Sequence, residues 1–169
     1  VKFLFQPDEE GSKGAKSLLA QGAFRRPAVD AVFGVHVNPR LRAGTLGVKP
    51  GPLMAAVDRF TLTVIGEGGH GAYPHEGIDA VVLAAQVVTA LQTLVSRRTD
   101  PVEPVVLTIG TIHGGERFNI LPSLVTLTGT VRTLSEKTHT RMPALIRRTA
   151  EGVVRGQGGR VELKYEVLG

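Results

Sequence analysis

The chain has 169 residues, 42% hydrophobic and 21% charged, a balance that supports a packed core and excludes a disordered or fibrous chain. It has no cysteine, which excludes a disulfide framework and thiolate metal sites within these residues. The formal charge of +5 comes partly from short basic groups (Arg25-Arg26, Arg97-Arg98, Arg147-Arg148) without interleaved aromatics, so no nucleic-acid surface is expected.

In chain order, the apolar run at 1–5 enters a Pro-Asp-Glu-Glu-Gly turn and predicts a buried strand. A helix follows over 12–21, with Ala15, Leu18 and Leu19 on one face and Gly22 just past its end. Residues 29–37, "VDAVFGVHV", predict a second buried strand, and strands at 45–48 and 53–57 flank a Pro-Gly-Pro turn. Strand, helix, strand with continuous apolar runs is the pattern of a parallel sheet. The chain opens on Val1 within that pattern, so a piece of a longer polypeptide is expected.

From Asp58 the pattern changes. "DRFTLTVIGEG" alternates as a half-buried strand, 79–98 predicts a long helix, and 105–112 and 123–134 predict two further strands. Pro143 cannot sit deep in a helix, so the next helix is expected to begin near Thr140 and end near Arg155. A last strand covers 160–168. The order β-α-β-β-α-β is that of the split, or ferredoxin-like, unit. The expected fold is an α/β fragment at 1–57 followed by an α+β ferredoxin-like domain at 58–169. The longest apolar run, 80–95, is interrupted by Gln86, Thr89, Gln92 and Thr93, so no membrane span is expected.

Three stretches could carry chemistry. Glu9 and Glu10 end a candidate parallel strand, where open α/β sheets place ligands, and His36 lies near the end of the next. Carboxylate and imidazole from adjacent strands are ordinary metal ligands. The same acids would also suit a solvated turn before a helix, and His36 a core position. "GEGGHGAYPHEG" at 66–77 offers His70 and His75 in a glycine-rich loop; the plainer reading is an exposed connection. "GGERFNILP" at 114–122 offers Asn119, whose amide can donate to a developing oxyanion or simply make a turn. His113 and His139 read as surface residues.

Together "FQPDEEG", "VDAVFGVHV", "GTLGVKPGPLMAAVDRF", "GGHGAYPH", "GGERFNILP" and "TLTGTVRT" resemble, in order, the dinuclear metallo-amidohydrolases that include hippurate hydrolase, N-acyl-amino-acid amidohydrolases and auxin-conjugate hydrolases. Asp8 departs from the alanine expected there. The resemblance implies a metallopeptidase catalytic domain with an inserted ferredoxin-like lid, two divalent metal ions (zinc, with manganese, cobalt or nickel as alternatives), and a cytoplasmic homodimer joined through the lid, with no membrane partner. It implies that Glu9 is the general base taking the proton of the attacking water, and that Glu10 and His36 are metal ligands. It further implies that His70 and Asn119 bind the substrate carbonyl and its oxyanion, and that Arg132 anchors the carboxylate of an N-acyl amino acid. His75 would support the His70 loop. Only two ligands are recognisable, so these residues alone are expected to be inactive. The alternative reading is a non-catalytic dimerisation module.

Overall fold

The computed structural model describes every residue of the chain except Glu10 and Ser12. The chain divides into two units, Val1–Gly51 with Leu168 and Pro52–Val167 with Gly169.

The first unit contains one helix, α1 (Gly14–Ala20), within the predicted 12–21. Its apolar runs do not form the strands expected at 1–5, 29–37 and 45–48: among the described residues there is no strand before Ala56. The reason is physical. Strands of a parallel sheet are held by ladders on their edges and covered on both faces. Here Phe3, Phe5, Phe33 and Val35 are all at least 80% exposed, with neither ladder nor cover.

The second unit begins with β1 (Ala56–Ile65), which absorbs the end of the strand expected at 53–57. It continues through β2 (Gly69–His70), a 3-10 turn at Pro74–Glu76, α2 (Ala80–Arg98), β3 (Val105–His113) and β4 (Ile120–Leu121). It closes with β5 (Leu124–Thr133), α3 (Glu136–Arg155) and β6 (Arg160–Val167). The four long strands form an antiparallel sheet in the order β3-β5-β1-β6, so β3 and β6 are edges.

Alternation in β1 buries Phe60, Leu62 and Val64 on one face. They join Leu127 and Val131 of β5, Leu83, Val87 and Leu91 of α2, and Met142, Ile146 and Val154 of α3 in one core. Phe60 lies opposite Gly129, where a Cβ would fall 2.3 Å from the phenyl ring, so only glycine admits that ring. The other face carries threonines in register, Thr61 opposite Thr128 and Thr63 opposite Thr126.

Asp79 caps α2 by accepting from the N–H groups of Val81 and Val82 at 2.8 and 3.2 Å. Contrary to the sequence expectation, α2 is long and apolar enough to cross a membrane by length and composition, with a mean hydropathy of 1.4. The polar residues are too few to lower that average. Leu83, Ala84, Val87, Leu91 and Leu94 are nevertheless buried in the core, as in the central helix of a packed domain. Val81 and Val82 leave apolar surface exposed on a second side.

Helix α3 begins at Glu136, earlier than Thr140, and Pro143 lies inside it. An interior proline costs about 3 kcal/mol, but tertiary contacts hold the preceding turn. Ser135 accepts from the Thr138 N–H, Thr138 is buried, and His139 contacts Asp58. The expected surface position of His139 is therefore corrected, whereas His113 is exposed.

Candidate functional site

In the first unit the chain turns at Asp8, whose φ of 48° is a left-handed conformation that aspartate tolerates. The turn places Glu9 Oε1 3.5 Å from His36 Nε2, with both side chains more than half exposed. His36 Nδ1 lies 2.8 Å from the Val37 carbonyl oxygen, an acceptor only, so Nδ1 donates to it and Nε2 is the nitrogen turned toward Glu9. A ring so tied to a carbonyl is oriented for metal ligation through its other nitrogen. Glu10 lies outside the described residues. Among the described residues no group of three or more metal-ligating side chains gathers. The donors present thus fit a metal centre in type and supply part of one.

In the second unit the two glycine-containing loops meet. The β2–β4 ladder pairs His70 with Ile120, and the Gly71 N–H donates to the Asn119 carbonyl at 2.8 Å. A Cβ on Gly71 would sit 3.0 Å from that oxygen, so the glycine permits the close approach. The sequence singled out His70 and Asn119 separately; the structure makes them neighbours. The Ala72 N–H donates to His70 Nδ1 at 3.1 Å, which places the neutral ring's own proton on Nε2. His70 is thereby prepared to donate a hydrogen bond outward. Tyr73 packs against it at 5.6 Å and meets His75 edge-on at 6.4 Å. His75 thus touches the loop through Tyr73.

Arg132 lies on β5 among the threonines of the sheet's open face. Its Nη1 donates to the Val131 carbonyl at 3.1 Å and to Thr130 Oγ1. The rest of the guanidinium fork remains available to a carboxylate.

Sequence reasoning missed a buried polar cluster in this unit. Asp58 is 1% exposed; its carboxylate contacts His139 Nε2 at 2.9 Å and accepts from the Tyr165 hydroxyl at 2.7 Å. Burial first, then the hydrogen bond and charge of Asp58, push the Tyr165 phenol far above its ordinary range. The signal was present: Asp58 shares the parity of Phe60, Leu62 and Val64, a charged residue on the core side of an alternating strand.

The chain belongs to the M20 peptidase dimerisation-domain family, whose model matches residues 57–154. It is 40% identical over 165 residues to the N-acetylcysteine deacetylase of Bacillus subtilis, covering 98% of this chain and 43% of that protein. It is 41% identical over 166 residues to the N-acyl-L-amino acid amidohydrolase of Geobacillus stearothermophilus, covering 98% and 45%. Among solved structures it resembles the Bacillus subtilis YXEP protein, a dinuclear metal-binding peptidase from the M20 family. That match has a TM-score of 0.78 and 35% identity, covering 97% of this chain and 40% of the other. The chain spans under half the length of these relatives.

Proposed function

We propose that the whole protein hydrolyses the amide bond of N-acyl amino acids with divalent metal ions. Residues 1–57 would form part of its catalytic domain and 58–169 its ferredoxin-like lid. The observation that carries this reading is the likeness along 98% of the chain to deacetylases and amidohydrolases of that substrate class. The contact between Glu9 and His36 supports it independently.

His36 and Glu10 would hold metal, which when bound supplies a Lewis acid that polarises the scissile carbonyl and makes water more acidic. Glu9 takes the proton of the attacking water and delivers it to the leaving amine. His70 donates through Nε2 to the carbonyl oxygen, Asn119 donates to the same oxygen as charge develops on it, and Arg132 receives the substrate carboxylate. The exposed apolar residues of the first unit fit a catalytic core completed by further segments.

The test uses the complete protein, stripped of metal and supplied in turn with zinc, manganese, cobalt or nickel. Release of free amino acid from N-acetyl and N-benzoyl amino acids is expected with metal and absent without it, and absent from the 169-residue chain throughout. No release from the complete protein with any of the four would reject the reading.

The lid is proposed to join two copies. Edge strand β3 offers unpaired backbone groups, and α2 exposes Val81 and Val82 beyond its core face. Leu94 is buried in the core and cannot probe this surface, whereas Val82 is exposed. Light scattering of the chain at tens of micromolar is expected to give a dimer that dissociates when Thr108 and Val82 are both replaced by glutamate. A monomeric parent chain, or a double variant still dimeric, would overturn this interface. The alternative reading, a non-catalytic dimerisation module, has its support in the dimerisation-domain model matching residues 57–154.

A further inference from the structure

Two exposed apolar side chains stand beside His70. The β2–β4 ladder turns Gly69 and Leu121 to its half-buried side and His70 and Ile120 to its exposed side. Side chains directly opposite on one face of an antiparallel pair stand about 5 Å apart at Cβ. Ile120 is therefore an immediate neighbour of the imidazole, and it is 44% exposed. Tyr73 is the second neighbour, its ring 5.6 Å from the imidazole and 54% exposed. Its backbone is held on both sides. The Tyr73 N–H donates to the His70 carbonyl at 2.8 Å, and the Tyr73 carbonyl accepts from the Glu76 N–H at 3.1 Å. Neither Tyr73 nor Ile120 belongs to the core, so packing of the second unit does not account for them.

Apolar surface held open around a polar donor marks a place where something apolar arrives with a polar group attached. His70 turns its Nε2 proton outward, because Nδ1 accepts from the Ala72 N–H. In the hydrolase reading that proton meets the scissile carbonyl oxygen. The two substituents of a carbonyl carbon lie only two bonds from its oxygen, so a wall beside the donor touches one of them. The amine side carries a carboxylate two bonds from the amide nitrogen, and uncharged walls would strip its water without compensation. The acyl side needs no charge, and its apolar surface gains by leaving water.

We propose that Tyr73 and Ile120 receive the acyl group of the substrate, and that they make the protein favour a bulky apolar acyl group over acetyl. This inference rests on the hydrolase reading and on the place of His70 in it. It adds the two residues that set acyl selectivity.

The test compares kcat/KM of the complete, metal-loaded protein for N-phenylacetyl-L-leucine and N-acetyl-L-leucine. Both have a saturated carbon beside the carbonyl, so their ratio reads contact and not the reactivity of the bond. Phenylacetyl is expected to be favoured by about tenfold or more, the usual worth of added apolar surface in a pocket. Tyr73→Ala and Ile120→Ala are each expected to lower that ratio by about threefold or more, while Tyr73→Phe keeps it. Lost support for the His70 ring would slow both substrates alike and cancel in the ratio. The ratio of N-acetyl-L-leucine to N-acetylglycine, which probes the amine side, is expected to stay constant in Tyr73→Ala. The proposal is overturned if the protein cleaves N-acetyl-L-leucine without preferring phenylacetyl, or if Tyr73→Ala leaves the acyl ratio unchanged. It is also overturned if the leucine-to-glycine ratio moves instead, or if Tyr73→Ala turns a dimer into a monomer in light scattering, which would put a second copy on this surface. A complete protein that cleaves no N-acyl amino acid rejects the hydrolase reading itself, and this inference with it.

Discussion

Glu9→Gln in the complete enzyme is expected to retain bound metal while kcat falls by on the order of a hundredfold or more, the usual loss when a positioned general base is removed. The substitution keeps size and hydrogen-bonding reach but deletes the capacity to accept a proton. Glu9 Oε1 stands 3.5 Å from His36 Nε2, so the carboxylate is beside a proposed ligand, and its 56% side-chain exposure leaves room for water and substrate. A ligand role for Glu9 would predict a different pattern, with metal content and kcat lost together. Glu10→Gln supplies the contrast, since it is expected to lower metal content first. Metal analysis alongside steady-state kinetics separates the two. Near-normal turnover in Glu9→Gln, or equal metal loss in both variants, would reject the division of labour.

The two units differ in how much their sequences disclose. In the second, every long strand finds its pairing partners within the unit, so the alternation of Phe60, Leu62 and Val64 or of Val125 and Leu127 predicts both strand and face. The start of α3 was not legible from Pro143, because Ser135 and the His139–Asp58 contact set it, and that contact joins positions far apart in sequence. In the first unit the runs at 1–5 and 29–37 are as apolar as buried strands require. An apolar run becomes a strand only when neighbours complete its ladder, and among the described residues none does. The site divides likewise. Places at the ends of two expected strands made Glu9 and His36 candidates; those strands are absent among the described residues, yet the two side chains meet, and their proposed roles came from the ordered motifs.

Asp58→Ala is expected to destabilise the second unit by about 2–4 kcal/mol, the cost of leaving two partly buried groups without their acceptor. The Asp58 side chain is fully buried and satisfies two groups from different elements, His139 of α3 and Tyr165 of β6. Deleting it leaves an imidazole at 22% exposure and a half-buried phenol without their acceptor. Thermal unfolding of the 169-residue chain followed by circular dichroism should fall by about 10–20 °C. Tyr165→Phe, which removes one hydrogen bond and keeps the pair with His139, should cost only about 1 kcal/mol. The same cluster makes an alkaline prediction. The folded phenol pKa is raised, so the neutral form is preferred in the fold. This contribution is fully present below the unfolded phenol pKa of about 10 and is lost as pH rises above it. Tyr73→Phe leaves Tyr165 as the sole tyrosine of the two. In that variant tyrosinate absorbance should appear only together with the loss of helical signal. Tyrosinate forming while the helices persist, or Asp58→Ala melting within about 3 °C of the parent chain, would show that the cluster does not hold this end of the sheet.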